Sequence, residues 1–244
     1  MQVSQIFITD GDEPLSPFLE EAASSVRSAF SNLNYVLYNN EQLRDFLSAS
    51  FPPEVIRAYD VLTPYSYKSD LGRYCLLYKL GGWYVDMGTR MLMRLNPPDT
   101  CSALAFRDTY NPGYSNTCFA CSTSILFSRA NSKIFESAIN RVLANVSSRF
   151  YGTSPVDPTG PTVLGQALSE IGPDSGVTIG EVTRLTPSFP VENRAYLLPD
   201  GQIMAFDKPR HIAPGGDLSG LGVKGSNNYG ELWRQKKIYS ESIS

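Results

Sequence analysis

The stretch from Lys68 to Asp86, Lys-Ser-Asp-Leu-Gly-Arg-Tyr-Cys-Leu-Leu-Tyr-Lys-Leu-Gly-Gly-Trp-Tyr-Val-Asp, constrains the fold more than any other part of the chain. It reads as an amphipathic helix stopped by Gly81-Gly82, followed by a short hydrophobic strand ending on Asp86. Trp83, Tyr84 and Val85 have the aromatic and β-branched character of a buried strand. Asp70 and Arg73 are three residues apart, so they project from one helical face and can meet the same ligand. In an open α/β sheet, ligands bind beyond the carboxyl ends of strands, and Asp86 falls at such an end. A carboxylate, a guanidinium and a second carboxylate converging there suit a phosphorylated, ribose-bearing ligand.

The flanking sequence supplies the rest of an α/β pattern. Val3 to Thr9 alternates as a strand and runs into the loop Asp10-Gly-Asp-Glu-Pro14. Ser16 to Phe30 carries Phe18, Leu19, Ala22, Val26 and Phe30 at helical spacing behind a Ser-Pro start. Tyr35 to Tyr38 is a second strand and Glu41 to Ser48 a helix, so strand and helix alternate as in a parallel sheet with right-handed crossovers. The Asp70 helix is predicted to begin near Thr63-Pro64. Further strands are predicted at Met91–Leu95, Ala103–Phe106 and Ile125–Phe127, with a polar loop over 107–117. Helices are predicted over Ser132–Val146 and Gly160–Ile171. Asp200-Gly201 turns a hairpin from Tyr196 to Phe206, and the loop after Lys224 leads into a last helix. No repeat or low-complexity linker breaks the chain, so residues 1–244 are expected to form one domain.

Composition excludes more than it suggests. A net charge of −3 over 244 residues gives no support for nucleic-acid binding. No apolar run reaches the roughly 20 residues that span a bilayer. Met1-Gln-Val-Ser-Gln lacks a basic region followed by an apolar core, so a soluble, cytoplasmic protein is expected. Of the four cysteines, only Cys118 and Cys121 are closely spaced; a lone pair of this kind is a weak zinc or redox signal, and reduced core thiols are expected, Cys75 among them. The one histidine, His211, and the lack of a Gly-x-Ser-x-Gly elbow set aside most serine and cysteine triads.

Ser69, Asp70, Arg73, Tyr74, Gly81, Gly82, Tyr84 and Asp86 reproduce the pattern Ser-Asp-x-x-Arg-Tyr … Gly-Gly-x-Tyr-x-Asp. This block resembles the sugar-binding region of DXD-containing glycosyltransferases, the group of glycosyltransferase family 32 and the clostridial glucosylating toxins. Gly11-Asp-Glu-Pro-Leu, and Tyr151-Gly through Asp157-Pro-Thr-Gly-Pro161, resemble further anchors of the same family. The resemblance implies a GT-A-like, Rossmann-type, mostly parallel sheet flanked by helices, with a C-terminal hairpin and a closing loop. It also implies retaining transfer of a sugar from a UDP- or GDP-linked donor to a glycan or lipid-linked oligosaccharide acceptor, with peripheral membrane association compatible with such an acceptor. A degenerate nucleotide-sugar or glycan-binding module, and an effector that glycosylates a protein, are the alternatives.

By the same resemblance, Asp86 reaches the ribose and a metal ion, Asp70 holds the donor sugar's hydroxyls, and Arg73 meets the sugar or the diphosphate. Phe7, Ile8 and Thr9 are expected beside the base, with Tyr84 in the donor site. Lys224 is expected on the diphosphate when its loop closes. Asp157 and Thr159 are expected on the acceptor side, and Asp108, Tyr110, Tyr114 and Asn116 form a polar loop suited to sugar. The bland reading of Asp70 and Arg73 is a surface ion pair. The chain departs from the pattern at Gly88, where the family has its second Asp. Mg²⁺ or Mn²⁺ thereby loses a hard oxygen ligand, and His211, Asp217, Asn227 and Asn228 are candidates to replace it. Gly72, inside a helix, reads as close packing.

Overall fold

A computed structural model describes residues 1–11, 13–94, 96–108, 120–171, 176–185, 194–209 and 211–241. The elements run β1 (Gln2–Ile6), α1 (Pro17–Ala29), β2 (Asn34–Tyr38), α2 (Asn40–Ser50), α3 (Pro53–Val61), α4 (Tyr65–Leu80), β3 (Gly82–Val85) and β4 (Arg90–Met91). They continue with β5 (Ala103–Asp108), β6 (Cys121–Ser128), α5 (Lys133–Ser147), α6 (Pro161–Ile171), β7 (Val177–Arg184), β8 (Arg194–Leu197), β9 (Ile203–Phe206) and α7 (Tyr229–Arg234). The described strands form one mixed sheet in the order β2-β1-β3-β6-β5-β7-β8-β9-β4. Strands β1, β2, β3, β5, β7 and β9 point one way, and β4, β6 and β8 the other. The carboxyl ends of the six therefore share one edge of the sheet.

Local chemistry explains most boundaries. Ser16 accepts from the Leu19 amide to start α1, with Pro17 in its first turn. Asn39 and Gln42 close a capping box on α2. Helix α4 has no side-chain cap of its own. Its Tyr65 amide instead donates to Asn227 Oδ1 at 3.0 Å, while Asn227 Nδ2 donates to the Thr63 carbonyl at 3.1 Å. A residue of the C-terminal segment thus caps the central helix. At the other end of α4, Gly82 adopts φ +92°, and a Cβ there would overlap the Gln2 carbonyl oxygen of β1. The glycine pair is required because the chain reverses directly against its neighbouring strand.

Two cores sandwich the sheet. On one face α2 to α6 pack around Leu43, Leu71, Tyr74, Phe135, Val142 and Leu164. Gly72 serves that face: a Cβ would lie 2.6 Å from Leu43 and 3.3 Å from Ile6, so it is a packing glycine and not a ligand contact. On the other face α1 and the β8–β9–β4 edge enclose Trp83, whose ring centroid lies 5.1 Å from both Phe30 and Phe127. Burying each of these phenylalanines contributes about 1.5–3 kcal/mol. A third cluster, Phe7, Leu19, Met87, Ala213, Leu221 and Val223, holds the C-terminal segment against the ends of β1 and β3. Cys75, Cys101 and Cys121 are buried free thiols; Cys118 lies outside the described residues.

The α/β class with a helix-flanked sheet, expected from the sequence, is the class observed. Its details differ in four places. The first strand stops at Ile6 instead of Thr9, and the strand expected over 91–95 is only Arg90–Met91. Helix α3, whose start is masked by Pro52-Pro53, and β7 were not expected. Among the described residues, no helix is long and apolar enough to cross a membrane.

Candidate functional site

A cleft of about 590 Å³ opens at the sheet edge where the six carboxyl ends gather. Phe7 and Ile8 enter it after β1, Asp86 and Met87 after β3, Asp108 at the end of β5, Arg184 at the end of β7 and Lys208 after β9. Tyr65, Ser69, Asp70 and Arg73 of α4 line one wall, and Ala213 to Gly216, Asn227 and Tyr229 of the C-terminal segment adjoin it, packed on the start of α4. Gly160 and Pro161 add the start of α6. The position follows from topology, since loops leaving strand carboxyl ends diverge and leave a crevice.

Arg73 organises the floor. Its Nη1 donates to Asp86 Oδ1 at 2.8 Å and to the Thr123 carbonyl at 2.6 Å, and its Nε donates to the Ser69 carbonyl at 3.0 Å. Asp70 Oδ1 lies 3.5 Å from Nε, and the two side chains are only 9% and 4% exposed. The pair is therefore a buried one, not the surface pair of the bland reading. The Tyr84 hydroxyl donates to Asp86 Oδ1 at 2.8 Å, with the Arg73 guanidinium stacked 4.4 Å above the Tyr84 ring. Thr159 Oγ1 donates to Asp70 Oδ2 at 2.8 Å.

The two carboxylates titrate in opposite directions. Burial pushes Asp70 up to about 6, against the pull of Arg73 and the Thr159 hydrogen bond. Burial also acts to raise Asp86, but Arg73 first, then Lys208, with hydrogen bonds from Tyr84 and Ser124, hold it below the usual carboxylate range. Asp86 is also the more open, with a side chain 21% exposed. One carboxylate acceptor at the strand end and a second on the helix suit the hydroxyls of a ribose and a sugar.

The other expected residues divide between wall and frame. Phe7, Ile8, Asp70, Arg73, Asp86, Asp108, His211 and Asn227 line the cleft. Tyr84 lies beneath, behind Asp86. Thr9 turns its hydroxyl to the Gly11 carbonyl at 2.9 Å. Lys224 is exposed and off the wall, although its neighbour Gly225 accepts from the Asp10 amide at 2.8 Å. Asp108 is held by buried Arg194 at 2.5 Å. Asp157 ties down its own loop, accepting from the Thr153 and Ser154 amides and from Thr162. That loop carries Thr159, wholly buried, to Asp70. Asn228 caps α7, and Asp217 accepts from the Ser219 amide and Ser226. Tyr110, Tyr114 and Asn116 lie outside the described residues.

Residues 18–103 match the family described as the glycosyltransferase sugar-binding region containing a DXD motif. This stretch is similar to a glycosyltransferase sugar-binding region. It carries Asp70, Arg73 and Asp86, the floor of the cleft. An uncharacterized glycosyltransferase of Acanthamoeba polyphaga mimivirus is 31% identical over 124 residues, which make up 48% of this chain and 48% of that protein. The chain thus spans about half the length of the curated relative it matches. Among solved structures, the PaToxG glycosyltransferase is similar at a TM-score of 0.55, covering 70% of this chain and 69% of its own, at 14% identity. That likeness is one of fold.

Among the described residues there is no preformed all-protein cage for the divalent cation that the resemblance implies. Mg²⁺ and Mn²⁺ take about six hard oxygens. Asp70, Asp86 and Asp108 are each tied to an arginine or a hydroxyl, and no three His, Cys, Asp or Glu side chains among the described residues converge on one point. Thr89 Oγ1 is a buried hydroxyl without a partner, but it is neutral and not on the wall.

Several wall residues went unnoticed in the sequence. Ser122 to Ser124 come from antiparallel β6, and Tyr65 and Tyr229 also line the cleft. Lys208 follows directly on the hairpin that was recognised, and a basic residue just past a strand end was the available signal. Gly220-Leu-Gly-Val-Lys-Gly225 has the spacing of a dinucleotide-binding turn. It follows no strand and begins within a 3₁₀ turn, so the structural context of that motif is absent.

Proposed function

We propose that the protein is a nucleotide-sugar glycosyltransferase, moving a hexose from a UDP- or GDP-linked donor to a hydroxyl of a glycan or lipid-linked oligosaccharide. The observation that carries this reading is the Asp70–Arg73–Asp86 network on the floor of a cleft at the strand carboxyl ends, within the sugar-binding region. In the reaction, the bond from the anomeric carbon to the β-phosphate oxygen breaks, with its electron pair leaving on the phosphate. The acceptor oxygen bonds to the anomeric carbon and its proton passes to the departing diphosphate. Asp70 and Asp86 orient the donor by accepting from its hydroxyls, and Arg73 holds both carboxylates in place.

Retention by front-face attack is part of the proposal. A covalent sugar intermediate needs a carboxylate free to attack. Asp70, Asp86 and Asp108 of the described wall are each hydrogen-bonded or ion-paired. Incubation with UDP- and GDP-linked hexoses and mixed oligosaccharide acceptors, read by mass spectrometry, tests the reading. Asp86→Asn is expected to lower turnover by about 100-fold or more while the protein stays folded. Turnover near that of the wild type would remove Asp86 from the site.

A further inference from the structure

We infer that the ammonium of Lys208 holds the donor's diphosphate in place of a metal ion, so that the protein binds nucleoside diphosphates independently of divalent cations. The inference rests on the nucleotide-sugar reading above and names the group that meets its leaving diphosphate. Its first support is register. In the β4–β9 pair, Arg90 lies opposite Phe206 and Met91 opposite Ala205. Continuing that antiparallel register past the strand ends sets Gly88 opposite Lys208. The side chain confirms the arrangement: a Cβ on Gly88 would lie 3.1 Å from Lys208 Cβ and 3.3 Å from its Cδ, so the lysine stem lies over the glycine.

The second support is charge. Arg73 is closed on Asp86, Asp70 and two carbonyls. The ammonium of Lys208 has no hydrogen bond or ion pair with a described residue, although the residue lines the cleft. Lys208 also helps to lower the proton affinity of Asp86, the carboxylate that ends β3. A carboxylate at position 88 would compete with this lysine for the same space. At φ +84° the backbone there also favours glycine. Lysine is a compact point charge that suits phosphate oxygens. As the anomeric C–O bond breaks and its electron pair moves onto the β-phosphate oxygen, the ammonium offsets the added charge and keeps its own proton.

Calorimetric titration of the intact protein with UDP and GDP, in Mn²⁺ and in EDTA, tests this, with uridine and guanosine as controls. Wild-type affinity for the preferred diphosphate is expected to be the same in both buffers. Lys208→Met is expected to weaken it by about tenfold or more, with nucleoside binding unchanged, and Lys208→Arg to restore most of it. A wild-type affinity that collapses in EDTA, or a Lys208→Met variant binding diphosphate as tightly as wild type, overturns the inference but leaves the nucleotide-sugar reading standing. No binding of either diphosphate by the wild type overturns that reading, and this inference with it. Should Lys208→Met melt well below wild type, the EDTA comparison on the wild type alone decides.

Discussion

On the α4–β3 side of the cleft, Asp70, Arg73 and Asp86 are closed on one another, whereas on the β4–β9 side Lys208, beside Gly88, carries an ammonium with no hydrogen bond or ion pair to a described residue. The first side is a buried network in which each charge depends on the others. In the second, Lys208 is half-buried, and its ammonium has no hydrogen bond to a described residue to lose. The contrast separates two tasks. On the proposed function, the polar groups that orient hydroxyls are held before the ligand arrives, and the charge proposed to receive a diphosphate is left available.

The largest expected effect breaks this comparison at its strong end. Arg73→Met leaves Asp70 and Asp86 buried without a counter-charge and should cost about 3–5 kcal/mol in urea unfolding. Lys208→Met should stay within about 0.5 kcal/mol of wild type. Similar losses for the two would mean that both sides are structural.

A smaller pair of substitutions compares the glycines that flank β3. Gly82→Ala presses a methyl group into the rigid backbone of β1 and should lose about 3 kcal/mol. Gly88→Ala meets side-chain atoms of Lys208 and Leu19 at 3.1 Å and beyond and no backbone, and should lose about 1–2 kcal/mol, mainly the strain of a left-handed residue. If Gly88→Ala proved the worse of the two, the Lys208 stem would be a fixed part of the core.

A pH series sharpens the difference between the two carboxylates. The folded proton affinity of Asp70 is raised to about 6 from an ordinary 3.8, so the native state binds the proton more tightly. Unfolding free energy should therefore fall as pH rises from about 4 to 6, by at most about 1.4 kcal/mol per unit, and Asp70→Asn should flatten that slope. Asp86, held below its ordinary value, has the opposite sign: its contribution is present above that value and is lost on acidification. Urea midpoints for wild type and each Asp→Asn variant between pH 3 and 7 read both slopes. An unchanged slope in Asp70→Asn would place its titration outside the folding equilibrium.

Much of the floor was legible because it lies in one continuous stretch. Asp70 and Arg73 share a helical face, Gly81-Gly82 ends that helix, and Asp86 ends the next strand; each step is local chemistry. Asp157 and Thr159 were expected on the acceptor side, and not as the support of Asp70. That contact joins positions 89 residues apart. Asn227, weighed as a metal ligand, turned out to cap α4 from 162 residues away.

The sequence by itself determined the α/β class, the helix–glycine–strand unit and the placing of Asp70, Arg73 and Asp86 at a strand carboxyl end. These follow from periodicity, capping and backbone sterics within short windows. Only the tertiary structure decided that Arg73 is shared by two buried carboxylates and that β4 pairs with β9. It alone set Lys208 over Gly88. Burial and strand register are properties of the assembled sheet, and no local pattern encodes which of its edges will meet.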